Sequence, residues 1–140
     1  MKHTCLTLVL HCIDFRFGSP IKDYLGKNNL LGDCDIVSVA GAAKNIASPK
    51  LPTDKEFIMR QIEISKSLHE ITTIILMNHT DCGAYGGRKA FESREVEESM
   101  HADEMRAAAE IIRTQFPDIA IKLILANIEE SGEIHFQDKS

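Results

Sequence analysis

Apolar residues along the chain fall into two alternating patterns, short continuous runs and longer stripes at helical spacing. The short runs are typical of buried β-strands, because successive side chains point to opposite faces and both faces are covered. They predict strands at Thr4–His11, Asp35–Ala40, Thr72–Met77 and Ile119–Ala126, with a short edge strand at Glu133–Phe136.

Two stretches between these runs have the spacing of amphipathic helices. Thr53–Leu68 carries apolar residues three and four positions apart, with Thr53 as the predicted N-cap and Glu56 three residues further on. Glu98–Phe116 is a longer pattern of the same kind, and Pro117 is expected to end it. Strands that alternate with helices predict a parallel sheet covered on both faces.

The sequence therefore predicts one three-layer α/β domain over residues 1–140 with a mostly parallel sheet. The sequence Gly18-Ser19-Pro20 predicts a turn after the first strand, and Lys44–Thr53, with its two prolines, predicts a surface loop. Ligands of such sheets bind at the carboxyl ends of the strands. Residues that directly follow strands are thus the candidates for chemistry.

Composition and charge narrow the class of function. The formal net charge is −5 and no basic patch offsets it, which argues against a nucleic-acid partner. The acidic stretch Glu92–Glu98 is expected to be a solvated face. No apolar run is long enough for a membrane span and no secretory signal is evident, so we expect a cytoplasmic protein. Four cysteines in a reducing compartment predict buried thiols or metal ligands rather than disulfides.

Two segments that leave predicted strands carry the residue types of a metal site. Cys12, Asp14 and Arg16 follow the first strand and point to one side of an extended chain. His79 and Cys82 follow the third strand, and a turn there, which nearby glycines permit, can bring both to one ion. Zinc accepts thiolates and imidazole and prefers four tetrahedral ligands. Three protein ligands leave the fourth position open, as in catalytic sites.

Two thiolates offset the charge of the ion, so such a zinc acidifies water less than one held by neutral imidazoles. A nearby group must then orient the water. Asp14 is placed for that role, and Arg16 is placed to hold Asp14 in a bidentate, ionised pair.

The pattern Cys12-x-Asp14-x-Arg16 with His79-x-x-Cys82 resembles the β-class carbonic anhydrases. Further agreement lies in Gly32-Asp33, in Ala40-Gly41 and in the run from His79 to Ala84. Three positions differ from frequent family residues: Ser38 and Val39 stand where an Arg-Asn pair is common, and Asn78 replaces a glycine.

The resemblance implies zinc-dependent, reversible hydration of carbon dioxide to bicarbonate, with one zinc ion held by Cys12, His79 and Cys82. Asp14 and Arg16 would be the catalytic orienting pair, although in some members the aspartate becomes a fourth ligand. The resemblance also implies the strand order 2-1-3-4 plus the edge strand. The chain is identified as a short member without the family's N-terminal helical arm, and we expect a homodimer or a tetramer.

Three other functions fit the same residues. A zinc hydrolase of carbonyl sulfide or carbon disulfide would use the same site. A non-catalytic zinc domain would keep Asp14 as its permanent fourth ligand, and a thiol-redox protein would use Cys12 and Cys82 without metal. Cys5 and Cys34 are predicted to be incidental thiols.

Overall fold

The computed structural model describes residues 2–140 and forms a five-stranded sheet flanked by helices. The strands are β1 (Thr7–His11), β2 (Cys34–Ser38), β3 (Thr73–His79), β4 (Ala120–Ile128) and β5 (Ile134–Asp138). The α-helices are α1 (Gly18–Lys27), α2 (Lys44–Ala47), α3 (Pro52–His69) and α4 (Arg94–Gln115). Within residues 2–140, no helix has the length and apolar character needed to cross a membrane.

The sheet has the order β2-β1-β3-β4-β5, which confirms the predicted α/β class and strand order. The first four strands are parallel, and β5 pairs with β4 in the antiparallel direction. In the centre of the sheet, Leu10 of β1 lies between Val37 of β2 and Leu76 of β3. Because β1 and β3 are direct parallel neighbours, the segments that follow them leave the same edge of the sheet side by side.

Helices cover both faces of the sheet and bury two apolar clusters. On one face, α2, α3 and α4 pack against strand residues that are at most 1% exposed, among them Leu8, Leu76 and Leu125. On the other face, Tyr24 and Leu25 of α1 pack against the opposite side of the same strands. Each fully buried leucine contributes about 1.5–3 kcal/mol relative to an exposed one. This packing holds the ends of β1 and β3 in fixed positions.

Helix α1 begins at Gly18, so the turn predicted at Gly18-Ser19-Pro20 was wrong. Pro20 lies in the first helical turn, where its missing N–H costs no intrahelical hydrogen bond. The predicted loop from residue 44 also contains a helix, α2, whose Ile46 is 1% exposed. In both places tertiary packing stabilises a short helix, although residues that favour turns lie within it or next to it.

The N-cap of α3 lies two positions before the predicted one. The helix begins at Pro52, and the residue before it, Leu51, is the N-cap in place of Thr53. The Leu51 N–H donates to the carboxylate of Asp54 at 3.1 Å. Asp54 therefore accepts the hydrogen bond from the N-cap residue that was predicted for Glu56.

Helix α4 begins earlier than predicted, inside the acidic stretch. The Ser93 hydroxyl accepts a hydrogen bond from the Val96 N–H at 3.1 Å and caps the helix. Acidic residues in the first turns are then favoured by the helix dipole. The stretch is not a uniformly solvated face, because Glu97 is only 1% exposed.

Candidate metal centre

The residues predicted to bind metal lie where β1 and β3 end. Cys12 directly follows β1, and His79 is the last residue of β3. Cys82 comes after a turn in which Asp81 has a left-handed backbone conformation, with φ of 56°. Since β1 and β3 pair with each other, the structure brings these three side chains together.

Their donor atoms form a compact, buried group. The sulfurs of Cys12 and Cys82 and a ring nitrogen of His79 lie within 4.8 Å of one another. The three residues are 7%, 2% and 2% exposed in the order Cys12, Cys82, His79. Ligand atoms around a tetrahedral zinc are about 3.3–3.8 Å apart, given bond lengths of about 2.0–2.3 Å. Small side-chain rotations therefore suffice to bring the group to coordination distances.

His79 presents a free lone pair to this group. Its Nδ1 lies 2.7 Å from the Thr80 carbonyl oxygen, and because a carbonyl only accepts, Nδ1 carries the proton. In the neutral ring Nε2 is then unprotonated, and it is buried with no hydrogen-bond partner among residues 2–140. A buried polar atom left unpaired costs free energy unless something binds it. An imidazole fixed in this way by a carbonyl is the usual form of a metal-ligating histidine.

The pKa values of the two thiols shift in opposite directions. The hydrogen bond with Cys82 lowers the pKa of Cys12 well below its usual range, and the same bond together with burial raises the pKa of Cys82. Backbone hydrogen bonds from Gly41 and Asp14 also favour the Cys12 anion. The pair thus carries one negative charge before any metal arrives. Because the thiolate is the metal-binding form, this donor set fits a zinc ion.

We expect the metal-free protein to keep its ultraviolet thiolate absorbance as the pH is lowered through neutrality. Cys12 supplies it, since a thiol with a lowered pKa stays ionised below the pH at which an ordinary thiol, with a pKa of about 8.5, takes up a proton. Cys82→Ala removes the donor, so the midpoint of the titration should rise. Cys34→Ala is the control, because burial raises the pKa of Cys34 to about 11. If Cys82→Ala leaves the midpoint unchanged, Cys82 does not lower the pKa of Cys12.

Arg16 binds both carboxylate oxygens of Asp14. Its Nη2 donates to Oδ2 at 2.7 Å, its Nε to Oδ1 at 3.0 Å, and its backbone N–H to Oδ1 at 2.9 Å. The side-chain hydrogen bonds from Arg16 lower the pKa of Asp14 to about 2, so the carboxylate is ionised at neutral pH. Its Oδ2 lies 3.9 Å from Nε2 of His79. Asp14 therefore borders the ligand group while remaining paired with Arg16.

Arg16 also binds the segment that follows β3. Its Nη1 donates to Oδ2 of Asp81 at 3.0 Å, and its Nη2 donates to the Asp81 carbonyl oxygen at 2.9 Å. One guanidinium thus ties together the segments that follow β1 and β3. Sequence reasoning missed Asp81, because the two residues are 65 positions apart and no local pattern links them.

Glu97 and Arg88 hold the Asp81 turn from the other side. Oε2 of Glu97 accepts a hydrogen bond from the Asp81 N–H at 2.7 Å, and the Arg88 N–H donates to Oδ1 of Asp81 at 2.8 Å. A left-handed backbone costs a non-glycine residue about 1–2 kcal/mol. These bonds offset that cost and fix the turn between His79 and Cys82.

Asn78 connects the end of β3 to the loop after β2. Its Oδ1 accepts a hydrogen bond from the Ala43 N–H at 3.1 Å. Its Nδ2 lies 3.1 Å from Nδ1 of His101 and 3.3 Å from the Tyr85 hydroxyl. Asn78 is 1% exposed and His101 is fully buried. A glycine at position 78 could make none of these side-chain contacts, so the asparagine adds a buried polar network behind the ligand group.

Sequence comparison finds relatives along nearly the whole chain. A family model described as putative carbonic anhydrase matches residues 1–136. Uncharacterized proteins of Rickettsia conorii and Rickettsia bellii are each 29% identical over 126 residues. These matches cover 88% of this chain, with 68% of the first protein and 77% of the second.

Solved structures of the same fold include two informative examples. The apo form of a carbon disulfide hydrolase superposes with a TM-score of 0.59 at 17% identity, covering 96% of this chain and 79% of that chain. A chain from a study of two tetrameric β-carbonic anhydrases of Sordaria macrospora superposes with a TM-score of 0.58 at 16% identity, covering 96% and 81%. At these identities the likeness concerns the fold.

Proposed function

This chain belongs to the carbonic anhydrase family whose model it matches, and we propose that it is a zinc-dependent enzyme that interconverts carbon dioxide and bicarbonate. The observation that supports the proposal most is the convergence of Cys12, His79 and Cys82 within 4.8 Å. The ionised Asp14 lies beside that group, with Oδ2 3.9 Å from Nε2 of His79. A donor set with one adjacent carboxylate suits activation of a single small nucleophile.

The two thiolates and Nε2 of His79 would hold one zinc ion and leave a fourth position free for water. When bound, zinc supplies Lewis-acid activation, which lowers the pKa of a water molecule and makes it nucleophilic near neutral pH. Thr80 keeps the proton of His79 on Nδ1 and so keeps Nε2 available. The ring of Phe17 packs edge-on against His79, with centroids 4.8 Å apart, and shields that side of the site from solvent.

Asp14 would orient the reacting water by accepting a hydrogen bond at Oδ2. Because Arg16 binds both oxygens of Asp14, the carboxylate is held in the ionised, orienting position rather than free to turn toward the ligand group. This arrangement favours a catalytic role over the alternative in which Asp14 permanently occupies the fourth ligand position.

A second candidate function is hydrolysis of carbon disulfide or carbonyl sulfide. These molecules are linear, like carbon dioxide, and water attacks their central carbon in the same way. The observation in its favour is the structural neighbour that is a carbon disulfide hydrolase.

A substrate panel on zinc-loaded protein tests the proposal. We expect hydration of carbon dioxide in stopped-flow measurements well above the buffer rate. Turnover of carbon disulfide or carbonyl sulfide without carbon dioxide hydration would favour the second candidate. Fully loaded protein that is inactive on all three substrates would instead support a non-catalytic zinc domain. A Cys12–Cys82 disulfide with little bound zinc would support the thiol-redox alternative.

The cysteine chemistry bears on where the protein works. All four thiols are free in the structure, and the proposed ligands must stay reduced to bind metal. A reducing compartment provides that condition, so we propose that the protein acts in the cytoplasm.

Within the part of the chain that the structure describes, an apolar surface at the β2 edge is left exposed. Ile36, Ile64 and Leu68 are 51%, 43% and 65% exposed and line one surface cavity of about 220 Å³ between β2 and α3. Contiguous apolar surface of this kind marks an interaction site. We propose that two copies of the chain form a homodimer through it, with a tetramer of two such dimers as the larger assembly.

Leu68→Glu is expected to convert the dimer to a monomer in size-exclusion chromatography with light scattering. The carboxylate would lose its water at the interface without gaining a partner. Val96→Glu is the matched control, since Val96 lies on α4 outside this cavity and is 46% exposed. An unchanged mass for the Leu68 variant would show that the interface lies elsewhere.

A further inference from the structure

A second group of metal-ligand side chains lies at the opposite edge of the sheet. Cys5 precedes β1, Asp35 belongs to β2 and His69 ends α3. One donor atom from each of these residues lies within 4.8 Å of the other two, the same criterion that the Cys12 group meets. Cys12 is the seventh residue after Cys5 along a nearly extended chain, so the two groups are about 20 Å apart.

Backbone hydrogen bonds hold the three residues in place. The Cys5 N–H donates to the His69 carbonyl oxygen at 3.1 Å. The neighbouring Leu6 carbonyl accepts from the N–H of Thr73 at 2.9 Å, which joins the start of β1 to the start of β3. Asp35 pairs with Leu8 in the β1–β2 ladder. The donors are thus positioned by regular structure rather than by mobile loops.

A hydrogen bond already links His69 and Asp35, whereas the Cys5 thiol donates to the Thr7 carbonyl oxygen, with 3.7 Å between sulfur and oxygen. Nδ1 of His69 lies 2.7 Å from Oδ2 and 2.9 Å from Oδ1 of Asp35. The Ser65 hydroxyl donates to Oδ2 of Asp35 at 2.5 Å. A cation can replace the shared proton between the imidazole and the carboxylate when that proton moves to Nε2 of the ring. Ser65 then keeps one carboxylate oxygen oriented, as hydrogen bonds to ligating carboxylates commonly do.

The surroundings favour a cation and give it a route to the group. His69 is the last residue of the 18-residue helix α3, whose C-terminal end carries partial negative charge. In the single chain the side chains of Asp35 and His69 are 27% and 41% exposed and also border the cavity between β2 and α3, so access is from the other side, where Cys5 is partly buried. The group lines a surface cavity of about 220 Å³ together with His3, Asp33 and Cys34. Water or His3 can therefore complete a fourth position.

We propose that Cys5, Asp35 and His69 form a second binding site for a borderline-soft divalent cation of the zinc type. Thiolate, imidazole and carboxylate are all zinc ligands, and one of each suits zinc better than calcium or magnesium, which require oxygen donors alone. Binding displaces the Cys5 thiol proton to solvent, while the ring proton that His69 holds on Nδ1 towards Asp35 moves to Nε2, so the imidazole stays neutral and uptake of the ion releases the thiol proton. No local pattern indicated this site, because Cys5, Asp35 and His69 lie at least 30 positions apart.

The test is the zinc stoichiometry of the reduced full-length protein. Protein stripped with a chelator is loaded with zinc alone, passed through a desalting column and analysed for metal. We expect two equivalents in the wild type, one in Cys5→Ala, one in His69→Gln, and two in the matched control Cys34→Ala. Cys34 lines the same cavity but packs against the other face of the sheet. Circular dichroism confirms that each variant is folded.

Cobalt substitution separates this site from the first centre. A variant that carries both Cys12→Ala and Cys82→Ala should still bind one equivalent of cobalt, with the charge-transfer intensity of a single thiolate. That result would hold even if the proposed enzymatic activity were absent. One equivalent in the wild type, a second equivalent that survives either Cys5→Ala or His69→Gln, or its loss in Cys34→Ala would each overturn the assignment.

Discussion

Cys82→Ser is expected to abolish high-affinity zinc binding at the Cys12 centre and with it carbon dioxide hydration. The substitution removes one of two thiolates and leaves Cys12 and His79 as the only protein ligands in the group. Loss of a residue that merely orients a metal ligand already costs about 10–100-fold in affinity or activity, and loss of a ligand costs more. Metal analysis after desalting and stopped-flow hydration on the same sample measure both effects.

Cys34→Ser is the matched control for this experiment. It removes a thiol of the same size that is packed in the apolar cluster on the α1 side of the sheet, away from the strand exits. Zinc at the Cys12 centre and activity should both be retained. If Cys82→Ser kept its zinc and its hydration rate, the assignment of this centre would be wrong.

Asp14→Asn is expected to keep zinc while lowering kcat for carbon dioxide hydration by about 10²–10⁴-fold, the range for removal of a positioned proton acceptor. The amide is nearly the same size as the carboxylate but lacks its charge and presents N–H donors at one of the two positions. The hydrogen bonds from Arg16 lower the pKa of Asp14 to about 2. A lowered pKa means that the carboxylate loses its charge only in strong acid. The wild-type rate should therefore show no loss from protonation of Asp14 above about pH 5.

The control for Asp14→Asn is Asp23→Asn, which neutralises an exposed carboxylate on α1. Zinc content and kcat should both match the wild type. Full activity in Asp14→Asn would remove the orienting role from Asp14. Loss of zinc in Asp14→Asn would instead favour the alternative in which Asp14 is a metal ligand.

The fold was largely predictable because the runs that become β1, β3 and β4 are mostly apolar and each is bounded by polar residues. Their parallel pairing then places Cys12 and His79 at one edge, which is why residues far apart in the chain could be grouped before the structure was known. The strand order could not be predicted in this way, because hydrophobic periodicity carries no information about which strands are neighbours. It was predicted from the family resemblance instead.

The remaining features depend on contacts between distant residues. Glu97 is an acidic residue within an acidic stretch, which favours exposure to solvent. It is nevertheless buried, because its carboxylate accepts the hydrogen bond from the Asp81 N–H. The helix at Gly18 forms although its first residues favour turns, because Tyr24 and Leu25 pack against the sheet. Local propensity could not reveal either outcome, since both are decided by what the folded chain places opposite the residue.

The reach of Arg16 from Asp14 to Asp81 has a consequence for how the centre acquires its ion. The Arg16 guanidinium already joins the segments that follow β1 and β3. These segments therefore lose little further conformational entropy when a metal ion binds. The pocket is preorganised, so the stripped chain should retain its native backbone and reload without refolding. If the centre holds zinc as proposed, metal exchange would be limited by how fast ions reach the buried sulfurs rather than by folding of the chain.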